Sequence, residues 1–376
     1  MITHLLGPVL NLVGFSGSGK TTFIEKSIPW LKQQGYVPAY LKHSGHPHSL
    51  DMPGKDTTRQ FEAGATFTAL YNETQWISHH RGAIDEIWLQ GQSNADLILL
   101  EGFKDSPYPK IILVHPEKGV PEEFSWKNLV QASPKMWAYL TADLGLAQSI
   151  NEEVGYEIAF DRNQIAPIWQ YLLQRLHWFL LSQTPLQAAV LIGGKSSRMG
   201  KDKAWLDYGH GPQAQYLFQL LSEQDSIQQV SFSAAPESLI PPGLEASTVR
   251  DQYCGVGPMG ALLSVMEFAP QSAWFILACD LVNAGKELVE HLVLHRNPLK
   301  LGTFFTQNQN SLEPLAAIYE PRARYVLYAQ WMRQNYSLQN FSQSAIEPLS
   351  VPIELAPQLT NINTTEERAE ILRKKG

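Results

Sequence analysis

A chain of 376 residues is too long for one ordinary hydrophobic core, so two domains are expected. With 44% hydrophobic and 17% charged residues it reads as globular, and a net charge of -7 excludes general affinity for nucleic acid. The two cysteines, Cys254 and Cys279, exclude a disulfide framework, and no CxxC pair suggests zinc.

Met1 to Leu12 lacks a basic region and a cleavage site, which argues against a signal peptide. No uninterrupted apolar segment is long enough to span a bilayer, so a soluble cytoplasmic protein without a membrane partner is expected. Pro8 to Val13 reads as a short buried strand. It feeds Gly14-Phe15-Ser16-Gly17-Ser18-Gly19-Lys20-Thr21, which fits G-x-x-x-x-G-K-[ST] at every fixed position. Backbone amides of such a loop cradle phosphates, the lysine reaches the β- and γ-phosphates, and the threonine hydroxyl ligates Mg²⁺. Gly14, Ser16, Gly17, Ser18, Gly19, Lys20, Thr21 and Thr22 are therefore the expected phosphate-binding set. The apolar spacing of Phe23, Ile24, Ile28 and Leu31 predicts a helix ended by Gly35.

Strands are predicted over 37–41, 65–71, 95–100, 110–114 and 137–141, with a short helix over 57–63. Strands alternating with helices indicate a parallel α/β sheet. Glu101 at the tip of an apolar strand is a Walker B arrangement, which positions Mg²⁺ or a water beside the γ-phosphate. Asp51 and Asp56 are alternative ligands, or simply loop and cap residues. The spacing of His43, His46 and His48 matches no zinc pattern. Asp143 follows a strand where GTPases read guanine, yet no Asn-Lys-x-Asp motif is present and helix capping explains it as well. An amphipathic helix over 165–181 closes this half.

The Walker loop, Leu41-Lys42-His43, Asp51-Met52-Pro53-Gly54-Lys55-Asp56, Ala63-Gly64-Ala65 and Leu100-Glu101-Gly102-Phe103-Lys104 together resemble the GTP-binding protein of molybdopterin-guanine dinucleotide biosynthesis, over roughly residues 10–176. The resemblance implies a weak GTPase that forms a homodimer through this half and assists a guanylyltransferase.

A short linker, 182–186, leads to a strand over 187–192 and then to Gly193-Gly194-Lys195-Ser196-Ser197-Arg198-Met199-Gly200-Lys201-Asp202-Lys203. Glycines after a buried strand let backbone N–H groups approach a phosphate, and the cations supply charge that amides cannot. This is neither a Walker loop nor G-x-G-x-x-G. A helix is predicted over 213–222, strands over 229–233, 247–249 and 274–278, and a glycine-rich turn at 255–260. Asp280, at the carboxyl end of a central strand, is the first choice for a Mg²⁺ ligand. Asp251, at the tip of what reads as a neighbouring strand, is the second. A helix over 287–295 and a strand pair, 302–306 and 314–319, follow; the pair forms the lip of a substrate site. Asn361 and Asn363 suit recognition of a phosphate or pterin edge, ahead of a last helix that Thr365 can cap.

The basic glycine loop, Asp251, Gly257-Pro258-Met259-Gly260, Cys279-Asp280, Glu313-Pro314-Leu315 and Asn361-Ile362-Asn363-Thr364 resemble the molybdenum cofactor guanylyltransferases over roughly residues 187–373. Ile192 stands where that family has alanine, Ser233 where asparagine is common, and Asn283 where proline is usual. The resemblance implies catalytic roles for Lys203, Arg198 and Asp280. It places Leu191, Gly193, Gly194, Lys203, Asp251, Asn361 and Asn363 at the nucleotide or pterin, and Asp280 and Asp251 at a Mg²⁺ separate from the one that the Walker motif gives to Thr21.

The expected architecture is α/β: a P-loop NTPase domain (1–181), a linker (182–186) and a Rossmann-like nucleotidyltransferase domain (187–376). Both are three-layer with mostly parallel sheets. The implied function is a bifunctional molybdenum cofactor biosynthesis protein that transfers GMP from Mg-GTP to molybdopterin or Mo-molybdopterin. Its implied partners include molybdenum-insertion proteins and acceptor molybdoenzymes. The alternative is another nucleotidyltransferase, cytidylyl or sugar-phosphate, fused to a metal-delivery P-loop GTPase.

Overall fold

The computed structural model describes residues 7–43, 59–60, 62–65, 67–71, 76–80, 95–128, 135–192, 203–238, 240, 243–308, 311–340 and 346–361. Its first sheet holds β1 (Val9–Val13), β2 (Pro38–Lys42), β5 (Leu97–Glu101), β6 (Lys110–Leu113), β7 (Met136–Thr141) and β8 (Ala159–Asp161). They are all parallel, in the order β2-β5-β1-β6-β7-β8. Along β1 the side chains alternate: Leu10 and Leu12 face one core, whereas Val13 faces another. Helix α1 (Lys20–Gln33) and α3 (Ile165–Gln183) cover the first face through Phe23, Ile24, Ile168, Trp169, Leu172 and Leu176. Helix α2 (Leu144–Val154) covers the second face through Ala147 and Ile150. Burial on both faces is why these strands are runs of apolar residues rather than alternating ones.

The strand predicted over 65–71 is not part of this sheet. It is β3 (Phe67–Tyr71), which pairs antiparallel with β4 (Trp76–His80) as a separate hairpin. The connection over 72–75 is too short for the crossover that a parallel pairing needs.

The second sheet runs β11 (Thr248–Arg250), β10 (Ile227–Ala234), β9 (Leu186–Leu191), β12 (Ala273–Ala278), β14 (Ser311–Tyr319), β13 (Gly302–Asn308), β15 (Glu347–Ser350). Strands β9 to β12 are mutually parallel, and β14 is antiparallel to both β12 and β13. Helices α4 (Gln213–Ser222) and α6 (Lys286–Leu294) pack on one face, against Ala188, Val190, Phe275 and Leu277. Helices α5 (Pro258–Phe268) and α7 (Ala323–Met332) cover the other, against Ala189, Leu191, Trp274 and Ile276. Both halves therefore have the expected three-layer α/β form, and the chain is α/β with mostly parallel sheets. Helix α3 runs to Gln183 and β9 starts at Leu186, so the connection is shorter than predicted. Among the described residues no helix is long and apolar enough to cross a membrane.

The two sheets meet through buried charge. Asp96 is fully buried and lies 3.1 Å from the Lys300 ammonium, which also donates to Gly35 O at 2.8 Å. The Tyr36 ring covers that ammonium, with its centroid 4.6 Å away. Arg322 donates to Ala95 O at 3.0 Å and to the carbonyls of Leu299 and Lys300. Full burial pushes its guanidinium down to about 10. Arg296 pairs with Glu320 at 2.7 and 2.9 Å and donates to Thr184 O at 3.2 Å. Leu299 from the second half sits inside the core of the first. A side chain at Gly7, at φ +92, would run into Arg322.

Gly260 on α5 has no room for a methyl group, because a Cβ there would overlap the Tyr253 carbonyl oxygen. Ser264 Oγ also accepts from Gln252 N at 2.8 Å, so this helix braces the segment that follows Asp251. Gly260→Ala should cost about 1–3 kcal/mol of stability through overpacking, read as a shift in denaturant midpoint.

Candidate functional site

The first carboxyl edge is built on the turn after β1. Gly14, Gly17 and Gly19 take φ values of +143, +80 and +92, a region that L side chains rarely adopt. At Gly14 a Cβ would also stand 2.5 Å from Leu113 O. Lys20 opens α1, and its Nζ donates to Phe15 O at 2.7 Å and Gly14 O at 3.1 Å. Partial burial lowers the pKa of this ammonium, while the Glu101 charge opposes the shift. Thr21 Oγ1 lies 3.1 and 3.2 Å from the two Glu101 carboxylate oxygens. Tyr40 OH donates to Glu101 at 2.7 Å, and Lys42 Nζ is 3.2 Å from it. A hydroxyl and a carboxylate beside a phosphate-binding loop are the hard oxygen donors that Mg²⁺ takes. The predicted Thr21 and Glu101 are thus brought together.

Two side chains outside the motif flank the same loop. Arg162, just past β8, donates from Nη1 to Ser18 O at 3.1 Å. His115, just past β6, accepts at Nδ1 from the amides of Glu117 and Lys118, both at 3.2 Å. With Nδ1 so engaged, Nε2 is the ring atom left to donate, and it lies 3.6 Å from where a Gly17 Cβ would stand. Neither residue has a spacing that a motif search could find; only the parallel order of β1, β6, β7 and β8 gathers them. Asp143 accepts from Leu146 N at 3.0 Å and caps α2, so capping is the reading the structure supports. Asp51, Asp56, His46 and His48 lie outside the described residues. A cleft of about 700 Å³ along β8 is lined by Glu152, Glu157 and Asp161, the wrong charge for phosphate.

The second carboxyl edge gathers Leu191 at the end of β9, Ser233 near the end of β10, Asp251 after β11 and Asp280 after β12. Ile192 N donates to Ser233 O at 2.9 Å, and Asp251 N to Ala234 O at 2.9 Å, so the strand tips are tied in register. Ser233 Oγ donates to Asp251 Oδ1 at 2.7 Å. The serine found where asparagine is common in the resembling family thus orients this carboxylate. Burial pushes the Asp251 carboxyl up, and the Ser233 bond only partly offsets this. The loop after Asp280 is held by α4, with Gln213 Nε2 donating to Leu281 O and Tyr216 OH to Ala284 O. Gln358 Oε1 accepts from Gly285 N at 2.8 Å, which docks the segment leading to Asn361 beside that loop.

One expectation is corrected. Asp251 and Asp280 are not on neighbouring strands, because β10 and β9 lie between β11 and β12. Three interstrand spacings separate their backbones by roughly 14 Å, too far for both to hold one ion directly. Glu313 is nearer. The β12–β14 register pairs Leu277 with Ala316, and its continuation brings Glu313 level with Asp280. Burial, and then the Asp280 charge, raise the Glu313 carboxyl. Lys203 begins a short 3-10 turn over 203–205, while Gly193, Gly194, Arg198 and Asn363 lie outside the described residues.

Two family models match the chain: molybdopterin guanine dinucleotide synthesis protein B over residues 9–133, and a MobA-like NTP transferase domain over residues 188–369. A molybdenum cofactor biosynthesis bifunctional protein of Synechocystis sp. is 39% identical over 38% of this chain. That match spans 41% of the relative's own length. A molybdopterin-guanine dinucleotide biosynthesis adapter protein of Haemophilus influenzae is 39% identical over 31% of this chain and 68% of its own. A Clostridium perfringens protein named "Probable molybdenum cofactor guanylyltransferase" is 26% identical over 50% of this chain and 96% of its own.

Arg162→Ala should weaken nucleoside triphosphate binding at the Walker loop by roughly ten- to a hundredfold, since hydrogen bonds to charged groups contribute about 1.5–3 kcal/mol. Titration calorimetry reads it, and unchanged affinity rejects a role for this arginine. At the second edge, a raised carboxyl is neutralised earlier on acidification. Mn²⁺ affinity there should begin to fall above the ordinary glutamate value of 4.5, and Glu313→Gln should abolish that early fall.

Proposed function

Because the chain belongs to the molybdopterin guanine dinucleotide synthesis protein B family in its first half and carries a MobA-like NTP transferase domain in its second, we propose that it makes the guanine dinucleotide form of the molybdenum cofactor. On this reading residues 187–376 transfer GMP from GTP to the terminal phosphate of molybdopterin or Mo-molybdopterin and release pyrophosphate. Residues 1–181 bind and slowly hydrolyse GTP as an adapter, and form the contact of a homodimer. The observation that carries the reading is that Leu191, which runs straight into the cation-rich glycine loop, shares one carboxyl edge with Asp251 and Asp280.

The nucleophile is an ionised phosphate, so no protein base is required and catalysis reduces to positioning and charge neutralisation. Asp280, with Glu313 beside it, would hold Mg²⁺ at the transfer site, and Thr21 with Glu101 would hold it at the Walker loop. Bound there, Mg²⁺ neutralises phosphate charge as a Lewis acid. Lys203 and Arg198 would neutralise the departing pyrophosphate, and the amides of Gly193 and Gly194 would hold its oxygens. Asp251, fixed by Ser233, is left as a hydrogen-bond acceptor for the nucleoside end. Asn361 and Asn363 would face the pterin or its phosphate. Soluble cytoplasmic pathway partners, molybdenum-insertion proteins and acceptor molybdoenzymes among them, fit the same reading.

Asp280→Ala should lower guanylyl transfer onto molybdopterin by roughly a thousandfold while phosphate release at the Walker loop persists. Lys20→Ala should do the reverse. Both are read on the full chain with GTP, and CTP run alongside tests the base. Normal transfer by Asp280→Ala sinks the assignment, and equal use of CTP replaces guanylyl with cytidylyl transfer.

A further inference from the structure

The charged cluster between the sheets has a direction. Gly7 precedes β1, Gly35 to Val37 precede β2, and Ala95 and Asp96 precede β5, so the first half contributes the amino-terminal ends of its strands. Thr184 precedes β9, and Arg296 to Lys300 precede β13, which runs parallel to β12 because both are antiparallel to β14. Glu320 and Arg322 follow β14, whose carboxyl end lies on that same edge. The hydrogen bonds and ion pairs described across the interface thus join one amino-terminal edge to the other. Among the described residues Leu299 is the one side chain of the second half in the core of the first, and His177 near the end of α3 meets Asn297 at the same amino-terminal edge.

We infer that this cluster locks the two sheets back to back, so that the Walker loop and the Asp280 edge open at opposite ends of one rigid body. Strands of this length rise roughly 17–20 Å each, which puts the two edges on the order of 30–40 Å apart. The connection between the sheets is two residues long, Thr184 and Pro185. Asp96 and Lys300 are buried against each other, and parting the halves would break their ion pair. Bringing the two edges together would require breaking this pair, the Arg322 bonds and the insertion of Leu299 at once. A nucleotide bound at the Walker loop therefore does not pass directly to the transfer edge of its own chain. Each site draws its nucleotide from solution, and the Walker edge faces outward, available to a partner in trans. The geometry does not depend on the guanylyltransferase reading; only the meaning of the outward edge does.

Two positions give a direct test. Cys254 is exposed beside Asp251, whereas Cys279 is buried. Lys118 is exposed beside His115 at the Walker edge. Spin labels on Cys254 and on Lys118→Cys in the full chain should give one narrow distance in the range of roughly 30–50 Å, unchanged by saturating Mg-GTP. A distance near 20 Å or below, a bimodal distribution, or closure on adding Mg-GTP overturns the arrangement. With Asp96→Ala and Lys300→Ala combined, the distribution should broaden. A distribution as narrow as before would show that other contacts hold the sheets and would overturn the role given to the cluster. Should that double variant fail to fold, about twelve Gly/Ser residues inserted between Gln183 and Thr184 decide the point, because a flexible insertion leaves the distance unchanged only if the interface sets it. Loss of transferase activity with the distance intact would reject the function and leave this inference standing.

Discussion

A carboxylate with no exposure to solvent, Asp96, is met by an ammonium that reaches it from the other half of the chain. Each ion loses its hydration on burial, and that loss costs more than an isolated charge can recover. The pairing is therefore worth little as a net source of stability compared with apolar packing. Its effect is on uniqueness. Lys300, Arg322 and the backbone carbonyls they bind fix one docking of two sheets whose chain connection is only Thr184 and Pro185. Val37 N also donates to Asp96 Oδ1 at 2.6 Å, so the same carboxylate starts the β2–β5 pairing that ends at Tyr40, Lys42 and Glu101. One buried group thus anchors the interface and the near end of the strands that carry the Walker edge.

The parts of this arrangement that could be read from the sequence are local ones. The Walker loop needs three glycines in the left-handed region and a lysine at a fixed offset, and such needs are written in consecutive residues. Strands such as β1, β5 and β12 announced themselves as apolar runs because both of their faces are covered. What the sequence hid is set by strand order. Nothing in Arg162 or His115 points to the loop around Gly17 until β8 and β6 take their places beside β1. Strand order also sets the distance between the two acids. Asp251 and Asp280 each sit at a strand tip, as expected, but β9 inserts centrally and moves them apart, while Glu313 arrives from an antiparallel strand. The hairpin of β3 and β4 was misplaced for a related reason, since a strand pattern does not say which sheet it joins. The interface was illegible altogether. Asp96, Lys300 and Arg322 look like any solvated charges until the fold buries them.

The two edges solve the binding of phosphate in different ways, and the difference bears on what each can do. At the Walker edge the loop wraps close around Lys20, and Thr21 and Glu101 sit within hydrogen-bond distance. The space is shaped for the end of a triphosphate. At the second edge the acidic groups are spread over several strands, with Asp251 far from Asp280. A spread site suits a reaction with two substrates, where one acid faces the nucleoside and another the reacting phosphates. On the proposed reading the first edge hydrolyses slowly because it offers one substrate and water, whereas the second transfers because it has room for an acceptor.

Fusion of the halves is usually taken to bring sites together, yet here the covalent link joins their backs. A short connection and a buried charge cluster fix orientation, not proximity. The gain is then not channelling within one chain. It lies in presenting two outward edges with a constant relation, so that a partner held by the Walker half stands in a defined position relative to the transfer edge of another copy. If the first half pairs with its counterpart, as the adapter reading implies, the transfer edges of a dimer would be carried outward by the same interface. Rigid docking at the amino edges would then set the geometry of the whole assembly, and the buried Asp96–Lys300 pair would be its fixed point.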